Sequence, residues 1–313
     1  MYWRVFYVYM LIENQKTTLH DAIENYLYWK SSYALVATER YKVRLKHFEK
    51  FIGKHVSVCT ITGVHVIAFH KQMEEKQGYS RATVAYSARI LKNFFEFLKG
   101  REVCCLNPKE IRPMKYISPE KDIVTPAVFK QMNHVLCEKF YSDLIKKLVM
   151  SMLYDTGMRV SELCELNISE IESTEESDLR CASIRRRKSL RYNTVVWGKE
   201  TNRLLKLYLG LRLCIDEGDS NALFVTRRTS GKRITTRTVQ RWMEEICMLA
   251  GIDRNITPHS FRHGKAHQVL NQSGNVRDVQ AILGHENPQS SFSYLSLNRQ
   301  NQIAVSGKYL QCA

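Results

Sequence analysis

The chain has little of what builds stapled, repetitive or membrane-spanning proteins. Its nine cysteines are scattered, odd in number, and form no Cys-x-x-Cys pair. That placement argues against a disulfide framework, a zinc site or a redox centre, and favours reduced, structural thiols. Six prolines and fourteen glycines in 313 residues leave long stretches without a helix breaker. There is no internal repeat and no low-complexity run. No stretch is long and apolar enough to cross a bilayer. The most apolar segment, Tyr2 to Ile12, is short, contains Arg4 and has no small-residue cleavage site. It reads as a leader over 1–16, with Met10 as an alternative start. A cytoplasmic protein without a membrane partner is expected.

Acidic residues are also scarce relative to basic ones. Asp and Glu number 31 against 47 Lys and Arg, for a formal net charge of +16. A surplus of this size calls for an anionic partner, most commonly nucleic acid, although a merely basic protein is the plainer alternative. The 44% hydrophobic share is that of a core-burying globular protein, which excludes disorder for most of the chain. The length suits two domains.

The first of these is expected over 17–105. His20, Ile23, Tyr26 and Leu27 recur at helical spacing, with Thr18 placed to cap. A second helix is predicted over Ala37–Ile52 and a third over Gly63–Lys76. A fourth spans Arg81–Leu98, with Ser80 as N-cap. Four helices in so short a span form a compact all-α unit. Asn107-Pro108, Arg112-Pro113 and Ser118-Pro119 then interrupt any helix, so 106–121 reads as an extended linker. Helices resume after Thr125, with Pro126 suited to a first turn. Two strands, Arg180–Arg185 and Asn193–Trp197, flank a basic turn, and helices follow. The second domain, 122–313, is thus mainly α with a small antiparallel sheet.

Four patches of this second domain carry polar groups that packing does not require. They are Thr156-Gly157-Met158-Arg159-Val160-Ser161-Glu162-Leu163, the turn Arg185-Arg186-Arg187-Lys188-Ser189, His259-Ser260-Phe261-Arg262-His263-Gly264, and Leu283-Gly284-His285 with Tyr294 nine residues on. In this order and spacing they resemble the signature of the tyrosine recombinases (phage integrases), over Asp122 to about Arg299. More weakly, the helical unit resembles that family's core-binding domain. Xer-like and transposon or phage integrases are the nearest likeness.

The resemblance implies a site-specific DNA recombinase with Arg159, Lys188, His259, Arg262, His285 and Tyr294 as catalytic residues. Phosphodiester transesterification needs a nucleophile, neutralisation of the non-bridging oxygens and a proton for the departing oxygen. Tyr294 would attack, and Arg159 and Arg262 offer forked, permanently charged donors to the phosphate. Lys188 would protonate the 5′ oxygen, His259 would assist proton transfer or steady the phosphate, and His285 would donate a further hydrogen bond. No metal, ATP or other cofactor is implied, because a 3′-phosphotyrosine conserves the bond energy. The implied partners are double-stranded DNA and three further copies, as a homo-tetramer on two DNA sites. The tail with Ile303, Ala304 and Val305 would dock on a neighbouring protomer.

Alternatives stand beside these assignments. Arg185, Arg186, Arg187 or Arg191 are rivals to Lys188 for phosphate, or the whole turn is a solvated hairpin. Lys188 is chosen as the lysine of that turn, since an arginine does not give up a proton near neutrality. His259, His263 and His267 share a helix face as zinc ligands do, but no His-Glu-x-x-His motif or nearby carboxylate completes a site. The run His263-Gly264-Lys265-Ala266-His267 departs from the family's Thr- and aromatic-rich continuation, and Leu295-Ser296 follows Tyr294 where many relatives carry a histidine. A type IB topoisomerase and a catalytically decayed DNA-binding regulator are the competing functions.

Overall fold

The computed structural model describes residues 17–116, 122–173, 180–185, 192–212, 221–226 and 231–284. They fall into two compact units, divided between Pro119 and Glu120. The leader 1–16 lies outside the described residues.

The first unit holds four helices: α1 (Leu19–Ser31), α2 (Leu35–Ile52), α3 (Gly63–Glu75) and α4 (Arg81–Lys99). Their starts follow the chemistry of the sequence. Thr18 Oγ1 accepts the Asp21 N–H at 3.2 Å, and Ser80 Oγ accepts that of Thr83 at 3.3 Å. Each bond satisfies a first-turn amide that has no partner inside the helix. Ile23, Tyr26, Phe48, Phe69, Phe94 and Phe95 form the centre of the core, all fully buried. At roughly 1.5–3 kcal/mol per buried large apolar side chain, this cluster supplies the driving force for the unit. Lys30 is buried too, with its ammonium 4.1 Å from the centroid of the Tyr41 ring, so a π face replaces part of its lost hydration.

The stretch expected as an extended linker departs from that expectation in its first half. Leu106 and Ile111 are buried in the helical core and Met114 packs against it, with a short 3₁₀ turn at Pro108–Glu110 between them. The prolines do prevent an α-helix, but the apolar residues between them gain more from burial than from solvent exposure.

The second unit is built around α6 (Tyr141–Thr156), preceded by α5 (Pro126–His134), whose N-cap Thr125 receives the Val128 N–H at 3.3 Å. Leu144, Ile145, Leu148, Val149, Met150, Met152 and Leu153 bury α6 on nearly every side, the mark of a central helix. After α7 (Val160–Glu165) comes an antiparallel sheet of β1 (Ile171–Ser173), β2 (Arg180–Arg185) and β3 (Tyr192–Trp197), in that spatial order. Its register pairs Arg180 with Trp197 and Arg185 with Tyr192. Ala182, Ile184, Val195 and Trp197 face the core while Thr194 and Val196 are exposed, the two-residue period of a half-buried sheet. Then follow α8 (Lys199–Arg212), a small hairpin of β4 (Val225–Thr226) and β5 (Lys232–Arg233), α9 (Thr236–Leu249), α10 (Pro258–Ser273) and α11 (Val276–Leu283). Strand β1 and the β4–β5 hairpin were not foreseen, because two or three residues carry no readable alternation. Among the described residues no helix is long and apolar enough to cross a membrane.

Candidate active site

The chain turns sharply at the end of α6, between Thr156 and Arg159. Thr156 Oγ1 donates to Met152 O at 2.6 Å and accepts the Met158 N–H at 3.1 Å, so its hydroxyl closes the helix end. Gly157 follows in the left-handed conformation, φ 62°. A Cβ there would lie 2.6 Å from Leu283 Cδ2 and 3.1 Å from the Lys265 stem, so the turn needs glycine for its backbone and for its space. Arg159 is the N-cap of α7 and is partly exposed. The buried Glu162 carboxylate holds it twice, accepting the Arg159 N–H at 2.8 Å and its Nη1 at 2.7 Å.

Arg262 belongs to α10, and its burial at 5% exposure would be costly for a charge without partners. Its Nη1 donates to Gly157 O at 2.8 Å and its Nη2 to Leu283 O at 2.9 Å. Both carbonyls terminate helices, α6 and α11, where orphan acceptors and the negative end of the dipole favour a cation. One planar fork therefore joins the turn that carries Arg159 to the turn that leads into His285. α10 itself comes close to the entering chain. A Cβ on Gly264 would meet Val124 O at 2.4 Å and Val124 N at 3.2 Å, and Val124 N–H donates to Ser260 O at 3.2 Å.

His259 lies in the first turn of α10, exposed, with its ring centroid 6.5 Å from that of His263. It thus sits at the electropositive end of the helix that supplies Arg262. His267 is more enclosed, and burial lowers its pKa. Among the described residues no three His, Cys, Asp or Glu side chains converge as metal ligands, so the helical spacing of His259, His263 and His267 is not matched by a cage.

Of the six residues expected to act, Arg159, His259 and Arg262 are described, and the Arg262 fork connects the segments of the first and last. Lys188, His285 and Tyr294 lie outside the described residues, as does the tail with Ile303, Ala304 and Val305. Three contributors were not foreseen. Glu162 stood inside a quoted motif but received no role, though a carboxylate three residues after an N-cap is a recognisable signal. Asp155 accepts from Gly198 N at 3.0 Å and from Thr201 Oγ1 at 2.7 Å. Lys265 is half-buried, and its pKa is lowered by burial and raised in part by Asp155. Neither Asp155 nor Lys265 has a sequence signature, since their partners are more than forty residues away or come from another helix.

Residues 123–301 match the phage integrase family, and residues 23–102 match the phage integrase N-terminal SAM-like domain. The chain belongs to the phage integrase family. It is a tyrosine site-specific recombinase, as the order of its motifs implied. The recombinase is 28% identical over 303 residues to the tyrosine recombinase XerC of Escherichia coli O1:K1 / APEC, covering 92% of this chain and 96% of that one. Its fold is shared with XerH site-specific recombinase bound to palindromic difH substrate in a post-cleavage complex, with TM-score 0.70, 19% identity, and coverage of 92% of this chain and 84% of that one. It is also shared with a lambda integrase dimer bound to a COC′ core site, with TM-score 0.73, 15% identity, and coverage of 92% and 79%. The expected architecture, a helical N-terminal domain followed by a mainly α catalytic domain with a small antiparallel sheet, is that of the recombinase.

Proposed function

We propose that the recombinase cuts and rejoins double-stranded DNA at specific sites through Tyr294, with Arg159, Lys188, His259, Arg262 and His285 around one phosphate. The Tyr294 phenolate oxygen attacks phosphorus and forms a 3′-phosphotyrosine, while the P–O bond to the 5′ oxygen breaks. That oxygen leaves with a proton from the Lys188 ammonium. Rejoining is the reverse, with the 5′ hydroxyl of a partner strand as nucleophile, so bond energy is conserved and no cofactor is needed. Arg159 and Arg262 neutralise the charge gathering on the non-bridging oxygens, and His259 and His285 steady it and help move the phenolic proton.

The observation that carries this reading is the Arg262 fork on Gly157 O and Leu283 O. It supports a site in which segments far apart in sequence converge before DNA arrives, so that little reorganisation is needed during reaction. The excess of basic residues supports duplex DNA as partner, with affinity falling steeply as salt rises. The relatives' DNA complexes support the same partner. Two duplexes exchange strands in a homo-tetramer assembled on two sites, with the tail of one protomer docked on the next. The protein works in the cytoplasm.

A nicked duplex that loses its short 5′ fragment on cleavage tests the chemistry, because it traps the covalent adduct. Wild type accumulates adduct, and Tyr294→Phe binds the same duplex without forming one. An adduct on the Phe variant moves the nucleophile elsewhere. Efficient relaxation of a plasmid lacking any recombination site points instead to a topoisomerase.

A further inference from the structure

Asp155 occupies the last turn of α6. A carboxylate there faces the negative end of its own helix, which disfavours it. Its reward lies across the domain. Asp155 Oδ2 accepts the N–H of Gly198 at 3.0 Å and the hydroxyl of Thr201 at 2.7 Å. Gly198 immediately precedes α8 and has no side chain to cap it, and Thr201 is 2% exposed and needs an acceptor. Asp155 therefore supplies from α6 the capping oxygen that α8 lacks, at the positive end of that helix. The Lys265 ammonium offsets the charge on the α6 side.

The place of this cap matters. Gly198 directly follows Trp197, the last residue of β3, and Asp155 stands four residues before Arg159. The β2–β3 hairpin, whose register brings Arg185 opposite Tyr192 at its far end, is thus held at its base by the same five-residue turn that carries Arg159 and is clamped by Arg262. Six strand residues at about 3.3 Å each put the Arg185–Tyr192 pair roughly 20 Å from that anchor, so a small tilt at the base is enlarged at that pair.

We infer that Asp155 is a positioning residue for the proton-donating step: by capping α8 at Gly198 and Thr201 it sets the β2–β3 hairpin against the Arg159 turn. The inference rests on the proposed role of Lys188 as acid, and its test separates the two. A duplex with a bridging 5′-phosphorothiolate releases a thiolate, which needs no proton. Cleavage of this duplex and of the ordinary one is compared for wild type, Asp155→Asn, Thr201→Val and Lys188→Ala, with duplex affinity measured alongside.

On the ordinary duplex, Asp155→Asn and Thr201→Val fall by ~10-fold or more at unchanged affinity. On the phosphorothiolate they return to within ~3-fold of wild type, as Lys188→Ala does. If Lys188→Ala is not rescued, the assignment of the acid fails. If Lys188→Ala is rescued while the Asp155 and Thr201 variants lose the same factor on both duplexes, the assignment stands and the positioning role of Asp155 is wrong. Thr201→Val, which keeps size and removes only the hydroxyl, carries the test if Asp155→Asn does not fold.

Discussion

Arg262 reaches the main-chain oxygen of Gly157, 105 residues earlier in the chain, at 2.8 Å. The second arm of its guanidinium holds Leu283 O at 2.9 Å, so one side chain bonds the ends of two helices. This makes Arg262 a structural clamp as well as a proposed phosphate ligand. Lysine cannot reproduce it, because an ammonium is a point charge without the planar fork. Arg262→Lys is expected to lose about 10²-fold or more in covalent adduct formation on a nicked duplex, with a lower melting temperature as well. A variant that melts earlier but cleaves at the wild-type rate would confine Arg262 to structure.

Glu162 should act through Arg159 rather than on DNA. Its carboxylate accepts both the backbone N–H and the Nη1 of Arg159, at 2.8 and 2.7 Å, from a buried position. Glu162→Gln keeps one acceptor oxygen and should retain part of the activity, whereas Glu162→Ala frees the guanidinium and should lower the cleavage rate by ~10-fold or more. Duplex affinity should change little in both. Rate constants from single-turnover cleavage at saturating protein check the order of the two variants.

Gly264 is a steric requirement, and its replacement should be costly even by alanine. The added Cβ would stand 2.4 Å from Val124 O and 3.2 Å from Val124 N, both backbone atoms in a segment bonded to α10 through Ser260 O. Overpacking of this kind costs about 1–3 kcal/mol. Chemical denaturation of Gly264→Ala should show that loss, and a wild-type midpoint would mean that the 122–125 segment yields freely.

The N-terminal unit should lose stability in mild acid. His70 is buried on α3, its Nε2 meets no hydrogen-bond partner, and burial holds its pKa down at about 4. In the unfolded chain the ring titrates near about 6.5, so between these values the unfolded state binds the extra proton. Stability is therefore full above about 6.5 and falls as pH drops toward 4, by at most about 3 kcal/mol from this group. His70→Leu should flatten that slope in melts followed from pH 7 to pH 4.5. An unchanged slope would assign the acid sensitivity to other groups.

The sequence by itself determined most of what depends on near neighbours. Thr18 and Ser80 could be read as caps because capping acts over three residues, and Ile23 and Tyr26 as one helix face because helical periodicity is local. Arg159, His259 and Arg262 stand out for a different reason: their motifs, in this order, resemble those of the tyrosine recombinases, and the roles proposed for them need a forked cation or an imidazole. Contacts made across the fold had no such signature. Only the tertiary structure decided that Arg262 turns inward onto two carbonyls, that Asp155 caps a helix forty-three residues away, and that Leu106 and Ile111 leave the expected linker for the core. Each of these depends on which surfaces the packed core brings together, a property of the whole chain that no window of sequence contains.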